Sequence, residues 1–134
     1  MGMDTASNYA FIDGQNLYMS VKAQGWELNF GAFRRYLRDK YNFFKAFYFI
    51  GYLEENKWLY KYLSEIGYIV IHKPTLQVRG KTKGNVDAEL VLHAMAEYKN
   101  YDKAVIVSGD GDFYCLVEYL LARGKLCKLL VPND

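Results

Sequence analysis

Four aspartates stand where a carboxylate can do work: Asp13, Asp87, Asp110 and Asp112. Asp13 closes the apolar run Tyr9-Ala10-Phe11-Ile12, and Asp110 and Asp112 follow Val105-Ile106-Val107-Ser108, with glycines at 109 and 111. Short runs that are apolar throughout read as strands buried on both faces. Parallel strands end on one edge of their sheet, where open α/β sheets hold ligands. Asp87 falls in the first turn of the helix that leads into the second of these strands. Several carboxylates at one spot raise one another's pKa, and a fold keeps such a cluster mainly where hard cations neutralise it. Mg²⁺ and Mn²⁺ take oxygen ligands, commonly one or two carboxylates with waters and substrate phosphates. They promote phosphodiester cleavage by activating water and stabilising the leaving oxygen. The four aspartates are therefore the candidate catalytic and metal-binding residues. Ser108 can bind a water or a phosphate oxygen, and Asn16 can orient Asp13 or a water.

Each acid also has an ordinary local role. Asp112 can cap the next helix, Asp110 can belong to a polar turn, and Asp87 gains about 0.3–1 kcal/mol from the helix dipole. Their coincidence at one sheet edge favours a shared site.

The elements that would position these residues alternate. After the first strand, Gln15 to Gln24 reads as a helix packing through Leu17 and Val21, closed by Gly25. Asn29 caps a second helix, Asn29 to Asp39, with Phe30, Phe33 and Leu37 inside and Arg34, Arg35 and Arg38 on a solvated face. Lys45 to Ile50 is a strand, Glu54 to Ile66 a helix with Gly67 as its cap, and Tyr68 to Ile71 a strand with His72 near the rim. Residues 72–84 break the pattern as a loop or loose hairpin rich in His72, Lys73, Arg79, Lys81 and Lys83. Val86 to Lys99, capped by Asn85, is the most regular helix. A further helix carries Phe113, Leu116, Val117, Leu120 and Leu121 on one side until Gly124, and Leu126 to Val131 is a last strand. This order predicts a single α/β domain, a three-layer sandwich around a parallel sheet. Residues 1–8 are expected to be flexible, and a covering helix after the last strand is expected to be absent.

A chain of 134 residues with 51% hydrophobic content suits one domain with its own core. Cys115 and Cys127 lie in apolar runs and read as small core residues, which points to a reducing, cytoplasmic setting. No apolar run reaches the ~20 residues of a membrane span, and the amino terminus lacks the regions of a signal peptide. The net charge of +2 permits a nucleic-acid partner without requiring one. The aromatic segments 41–52 and 58–62 could stack on bases. They read more readily as core or interface, which leaves room for a homodimer. A serine elbow, a Walker loop, a CxxC pair and zinc spacing are all lacking.

Phe11-Ile12-Asp13-Gly14-Gln15-Asn16-Leu17, then Lys83-Gly84-Asn85-Val86-Asp87-Ala88-Glu89-Leu90, then Val107-Ser108-Gly109-Asp110-Gly111-Asp112-Phe113 resemble the NYN domain family. These are the LabA/DUF88-like members of the PIN-like nuclease superfamily. The three motifs occur in the family's order, and the similarity runs from about Tyr9 to Val131. The resemblance implies a five-stranded parallel sheet in order 3-2-1-4-5, PIN-like and Rossmann-like. It also implies a divalent-metal ribonuclease site carried on Asp13, Asn16, Asp87, Ser108, Asp110 and Asp112. His93 departs from the family's frequent Leu-Asp-Ala-Met; six positions beyond Asp87, it is expected to face away from that residue. The absence of the family's C-terminal helix is a second departure.

The reading is a metal-dependent ribonuclease that uses Mg²⁺ or Mn²⁺ on single-stranded RNA, with Arg79, Lys81 and Lys83 gripping the backbone. The alternative is a catalytically idle RNA- or protein-binding module that keeps the acidic pocket. A small phosphatase is disfavoured, because neither a glycine-rich phosphate loop nor an Asp-x-Asp-x-Thr/Val motif is present.

Overall fold

The first apolar run forms strand β1 (Asn8–Asp13), buried along its whole length. In the computed structural model, which describes residues 7–23, 29–41, 43–74, 76–78, 81–83 and 87–132, this strand is the centre of the sheet. It pairs in parallel with β2 (Phe43–Tyr52) on one side and with β6 (Ala104–Val107) on the other. Strands β3 (Tyr68–Pro74) and β7 (Leu126–Leu130) complete the order β3-β2-β1-β6-β7. A separate antiparallel hairpin, β4 (Leu76–Val78) and β5 (Lys81–Lys83), interrupts the numbering. Without it the order is 3-2-1-4-5, as the resemblance implied.

Side chains alternate across a strand, and β1 uses both faces. Tyr9 and Phe11 join one core with Phe47, Phe49, Ile106 and helix residues Leu90, Ala94, Leu116, Val117 and Leu120. Ala10 and Ile12 join the opposite core with Tyr48, Val105, Val107, Leu17, Leu37 and Leu63. Helices α1 (Gly14–Ala23), α2 (Phe30–Tyr41) and α3 (Lys57–Glu65) thus cover one face, and α4 (Asp87–Ala96) and α5 (Tyr114–Ala122) the other. Phe11 and Phe47 stack at 5.4 Å within 3° of parallel. Burying such a ring contributes about 1.5–3 kcal/mol. Gly67 (φ 109°) and Gly124 (φ 70°) hold the left-handed turns that end α3 and α5, where a side chain would be strained.

Most expected elements form within a residue or two, and Asn29 caps α2 by accepting the Ala32 amide at 2.9 Å. The helix expected from Glu54 starts as a 3₁₀ turn, Glu54–Asn56. The basic loop resolves into the hairpin, and β3 runs on to Pro74. The expected flexibility of residues 1–8 falls mostly on 1–6, outside the described residues, as do Asn85 as a cap and Gly25 as a stop; Asn8 already belongs to β1.

Three expectations are corrected, and the aromatic reading is refined. Cys115 is exposed, whereas Cys127 is half-buried and packs against the core, and Leu121 is 62% exposed. Helix α5 meets the sheet through Leu116, Val117 and Leu120, which rotates Cys115 and Leu121 out of the stripe. Arg34 is not on a solvated face. It is half-buried, donates to the Gly67 carbonyl at 3.3 Å, and burial lowers its pKa. The aromatic segments divide: Phe47, Tyr48, Phe49 and Tyr60 are core, whereas Trp58 is 71% exposed.

Candidate functional site

The chain leaves β1 for β2 and β3 on one side and reaches β6 and β7 on the other, so the strand order reverses between β1 and β6 while all strands of this sheet stay parallel. The two connections part there and open a crevice beyond the strand ends, the ordinary ligand position in this architecture. Asp13 is the last residue of β1, and Ser108 directly follows β6. Because Ile12 pairs with Val107, the register brings these two side by side.

Both are buried, Asp13 to 4% and Ser108 to 2% exposure. The Ser108 hydroxyl donates to Asp13 Oδ2 at 3.0 Å and accepts the Asp110 amide at 3.0 Å. Asp13 Oδ1 accepts the Asn16 amide at 3.2 Å, so the carboxylate also caps α1. The Asn16 side chain closes the ring, its Oδ1 accepting the Gly109 amide at 2.8 Å. Asp110 Oδ1 in turn accepts the Asp112 amide at 2.9 Å and caps the 3₁₀ turn Gly111–Phe113. The capping role expected of Asp112 thus belongs to Asp110.

Burial raises the Asp13 pKa above 3.8; hydrogen bonds from Asn16 and Ser108 pull it back, and the Asp110 charge pushes it up again. This is a carboxylate whose charge is stabilised by two donors and opposed by its surroundings, a state that a cation relieves. The donors gathered here, Asp13, Asp110 and Ser108, are all oxygens, the set that Mg²⁺ and Mn²⁺ prefer. Among the described residues, no three of the His, Cys, Asp and Glu side chains come close enough together to hold one ion.

The structure therefore brings together Asp13, Asn16, Ser108 and Asp110. Asp112 is exposed and joins them through its backbone amide. Asp87 is the first residue of α4, which packs against β1 and the 3₁₀ turn; its side chain lies outside the described residues. Lys81 and Lys83 end β5, paired with Val78 and Leu76, again without described side chains, and Arg79 lies outside the described residues.

Two histidines considered from sequence have packing roles. His72 sits between Tyr52 (5.2 Å) and Tyr60 (4.7 Å), where burial lowers its pKa. His93 lies against Phe49 (5.4 Å) and Phe47 (6.2 Å) of β2.

Two features escape a sequence reading. A Cβ on Gly14 would come within 2.4 Å of Tyr48 Cε1 and 2.7 Å of the Phe49 carbonyl. This glycine lets α1 start against β2 and so sets the position of Asn16. A pocket beside Asp110 joins Phe113, Tyr114, Val117, Leu129 and Val131; most of these read simply as core.

An open α/β sheet with an acidic, hydrogen-bonded switch point is the plan of a PIN-like domain. The NYN domain model matches residues 9–133, and the chain belongs to the NYN domain family, within the PIN-like nuclease superfamily. It is similar to the low amplitude and bright protein LabA of Synechococcus elongatus, at 27% identity over 124 residues, covering 84% of this chain and 67% of that protein. A crystal structure of a protein of unknown function from Vibrio parahaemolyticus superposes with a TM-score of 0.77 at 23% identity, covering 100% of this chain and 98% of that one. That likeness speaks to the fold.

Proposed function

We propose that this chain is a divalent-metal-dependent ribonuclease that hydrolyses phosphodiester bonds of single-stranded RNA at the β1/β6 crevice. The observation that carries the reading is the buried Asp13 carboxylate, tied to Ser108 and Asn16 and facing the charge of Asp110. Asp13, Asp110, Asp112 and Asp87 would hold one or two Mg²⁺ or Mn²⁺ ions. Such an ion, when bound, activates water and stabilises charge on the phosphoryl oxygens.

The chain's own groups do the positioning. Ser108 and Asn16 fix the Asp13 carboxylate, so its geometry needs little reorganisation. The Ser108–Asp110 bond sets the turn that carries Asp110 and Asp112. Arg79, Lys81 and Lys83 neutralise the RNA backbone. No helix among the described residues is long and apolar enough to cross a membrane, and the two free cysteines suit a reducing cytoplasm.

A second reading, an idle RNA- or protein-binding module, is favoured by one observation: both oxygens of Asp13 already accept protein donors. Cleavage of labelled single-stranded RNA in Mn²⁺, Mg²⁺ or EDTA, with Asp110→Asn purified identically, separates the two. Metal-dependent cleavage lost in the variant supports the nuclease. Parent and variant equally inactive, or equally active, leave the binding module.

A further inference from the structure

A pocket of about 100 Å³ opens beside the acidic turn, between α5 and the end of β7. Its lining is mainly apolar, from Phe113, Val117, Leu129 and Val131, and Ser108 and Asp110 also line it. Tyr114 also lines it and is 62% exposed. Tyr114 adds little to the core, since α5 meets the sheet through its other face. We propose that this pocket holds one unpaired nucleobase of the RNA, next to the phosphate at the acidic crevice, with Tyr114 as the stacking surface. The proposal rests on the ribonuclease reading.

Three observations select this occupant. First, the pocket adjoins the crevice: Ser108 and Asp110 line the pocket, and Ser108 bonds Asp13, so a nucleotide with its phosphate at the acidic crevice carries its base within reach. Second, the space is small. Drug-sized ligands occupy roughly 300–1,000 Å³, whereas this pocket suits one planar ring system. Third, most of the lining is apolar, which suits the face of a neutral base better than a charged group. Single-stranded RNA readers commonly splay a base onto an aromatic side chain, and each such stack is worth a measurable share of affinity. Gly111 also lines the pocket, and a Cβ there would meet no atom within 4 Å.

The test is a thermodynamic cycle by fluorescence anisotropy, in Ca²⁺, using an unstructured RNA dodecamer and versions with one abasic ribose at successive positions. Tyr114→Ala is expected to weaken binding of the intact RNA by about 5- to 150-fold, the range for losing one stacked base. One abasic position should weaken binding to the parent by a similar factor, and the two changes together should cost no more than either. Gly111→Val, which adds bulk to the lining without a clash, should weaken the intact RNA and leave the matching abasic RNA unchanged. Melting curves confirm that both variants fold. If the parent binds intact and abasic RNA alike, or Tyr114→Ala weakens both equally, the base pocket is overturned while the ribonuclease reading stands. If the parent binds no RNA, both are overturned.

Discussion

The Ser108 hydroxyl donates to Asp13 Oδ2 at 3.0 Å from a position 95 residues away, joining the ends of two adjacent parallel strands inside the protein. The same oxygen accepts the Asp110 amide, so one buried hydroxyl sets the distance between two acids and supports the turn that carries the second.

Ser108→Ala should therefore destabilise the fold by about 1–3 kcal/mol, because it leaves a buried carboxylate oxygen and a backbone amide without their donor and acceptor. Urea unfolding at pH 7 checks this. Losing the donor also raises the Asp13 pKa further, so the cost should shrink as the pH is lowered and Asp13 takes up its proton. A cost that stays constant from pH 7 to pH 4 would argue against the Ser108–Asp13 bond as its source.

Asp13 itself makes stability depend on pH. Its carboxyl titrates above 3.8 in the folded chain, mainly through burial, so the folded state holds this proton to higher pH than the unfolded state. The contribution is fully favourable below the unfolded value, declines as pH climbs from about 3.8 to the raised value, and is constant above it. Asp13→Asn removes the titration while keeping a carbonyl to accept the Asn16 amide. In EDTA, the stability of the variant relative to the parent should increase across that window and then level off. Relative stability that falls with rising pH would contradict the shift.

Much of this arrangement is legible in the amino-acid sequence. Val105-Ile106-Val107 and Phe11-Ile12 announce buried strands because burial on both faces demands unbroken apolar runs, and Asp13 and Asp110 could be placed at one edge because parallel strands leave no alternative. Hidden from that reading were features that depend on contacts distant in sequence. The Asn16 side chain meets the Gly109 amide 93 residues away, and nothing near Asn16 announces it. Capping by Asp110 rather than Asp112 depends on a 3₁₀ turn that precedes α5. Cys115 and Leu121 look apolar and interior, yet small rotations of α5 place them outside. Arg34 reads as surface charge until Gly67 supplies a carbonyl across the α2–α3 layer.

Metal binding should register as stability. An ion that binds only the folded chain adds about 2.7 kcal/mol at one hundred times its dissociation constant, which raises the melting temperature by several degrees in a domain of this size. Mn²⁺ titration followed by differential scanning fluorimetry at pH 7.5 should show this for the parent. Asp13→Asn and Asp110→Asn should each remove most of it. The parent's own shift should diminish as pH falls through the Asp13 pKa, because the ion competes with the proton. Equal shifts in parent and variants would assign the binding to other residues.

Gly14→Ala tests whether the crevice depends on how closely α1 approaches β2. The added methyl would sit 2.4 Å from the Tyr48 ring and 2.7 Å from the Phe49 carbonyl. Tyr48 is fully buried and its hydroxyl donates to the Gly14 carbonyl at 3.3 Å, so the ring has little freedom to withdraw. Overpacking of this kind typically costs about 1–3 kcal/mol. Relief requires the start of α1 to lift from β2, which carries Asn16 away from Asp13 and Gly109. The variant should therefore lose RNA cleavage as well as stability, even at temperatures where circular dichroism shows it folded. Gly31→Ala is the control, since its Cβ meets only Asn29 and Arg35 side-chain atoms at 3.6 and 3.7 Å, and it should leave cleavage intact. Full cleavage by folded Gly14→Ala would show that the Asn16 link is not needed to set the acidic crevice.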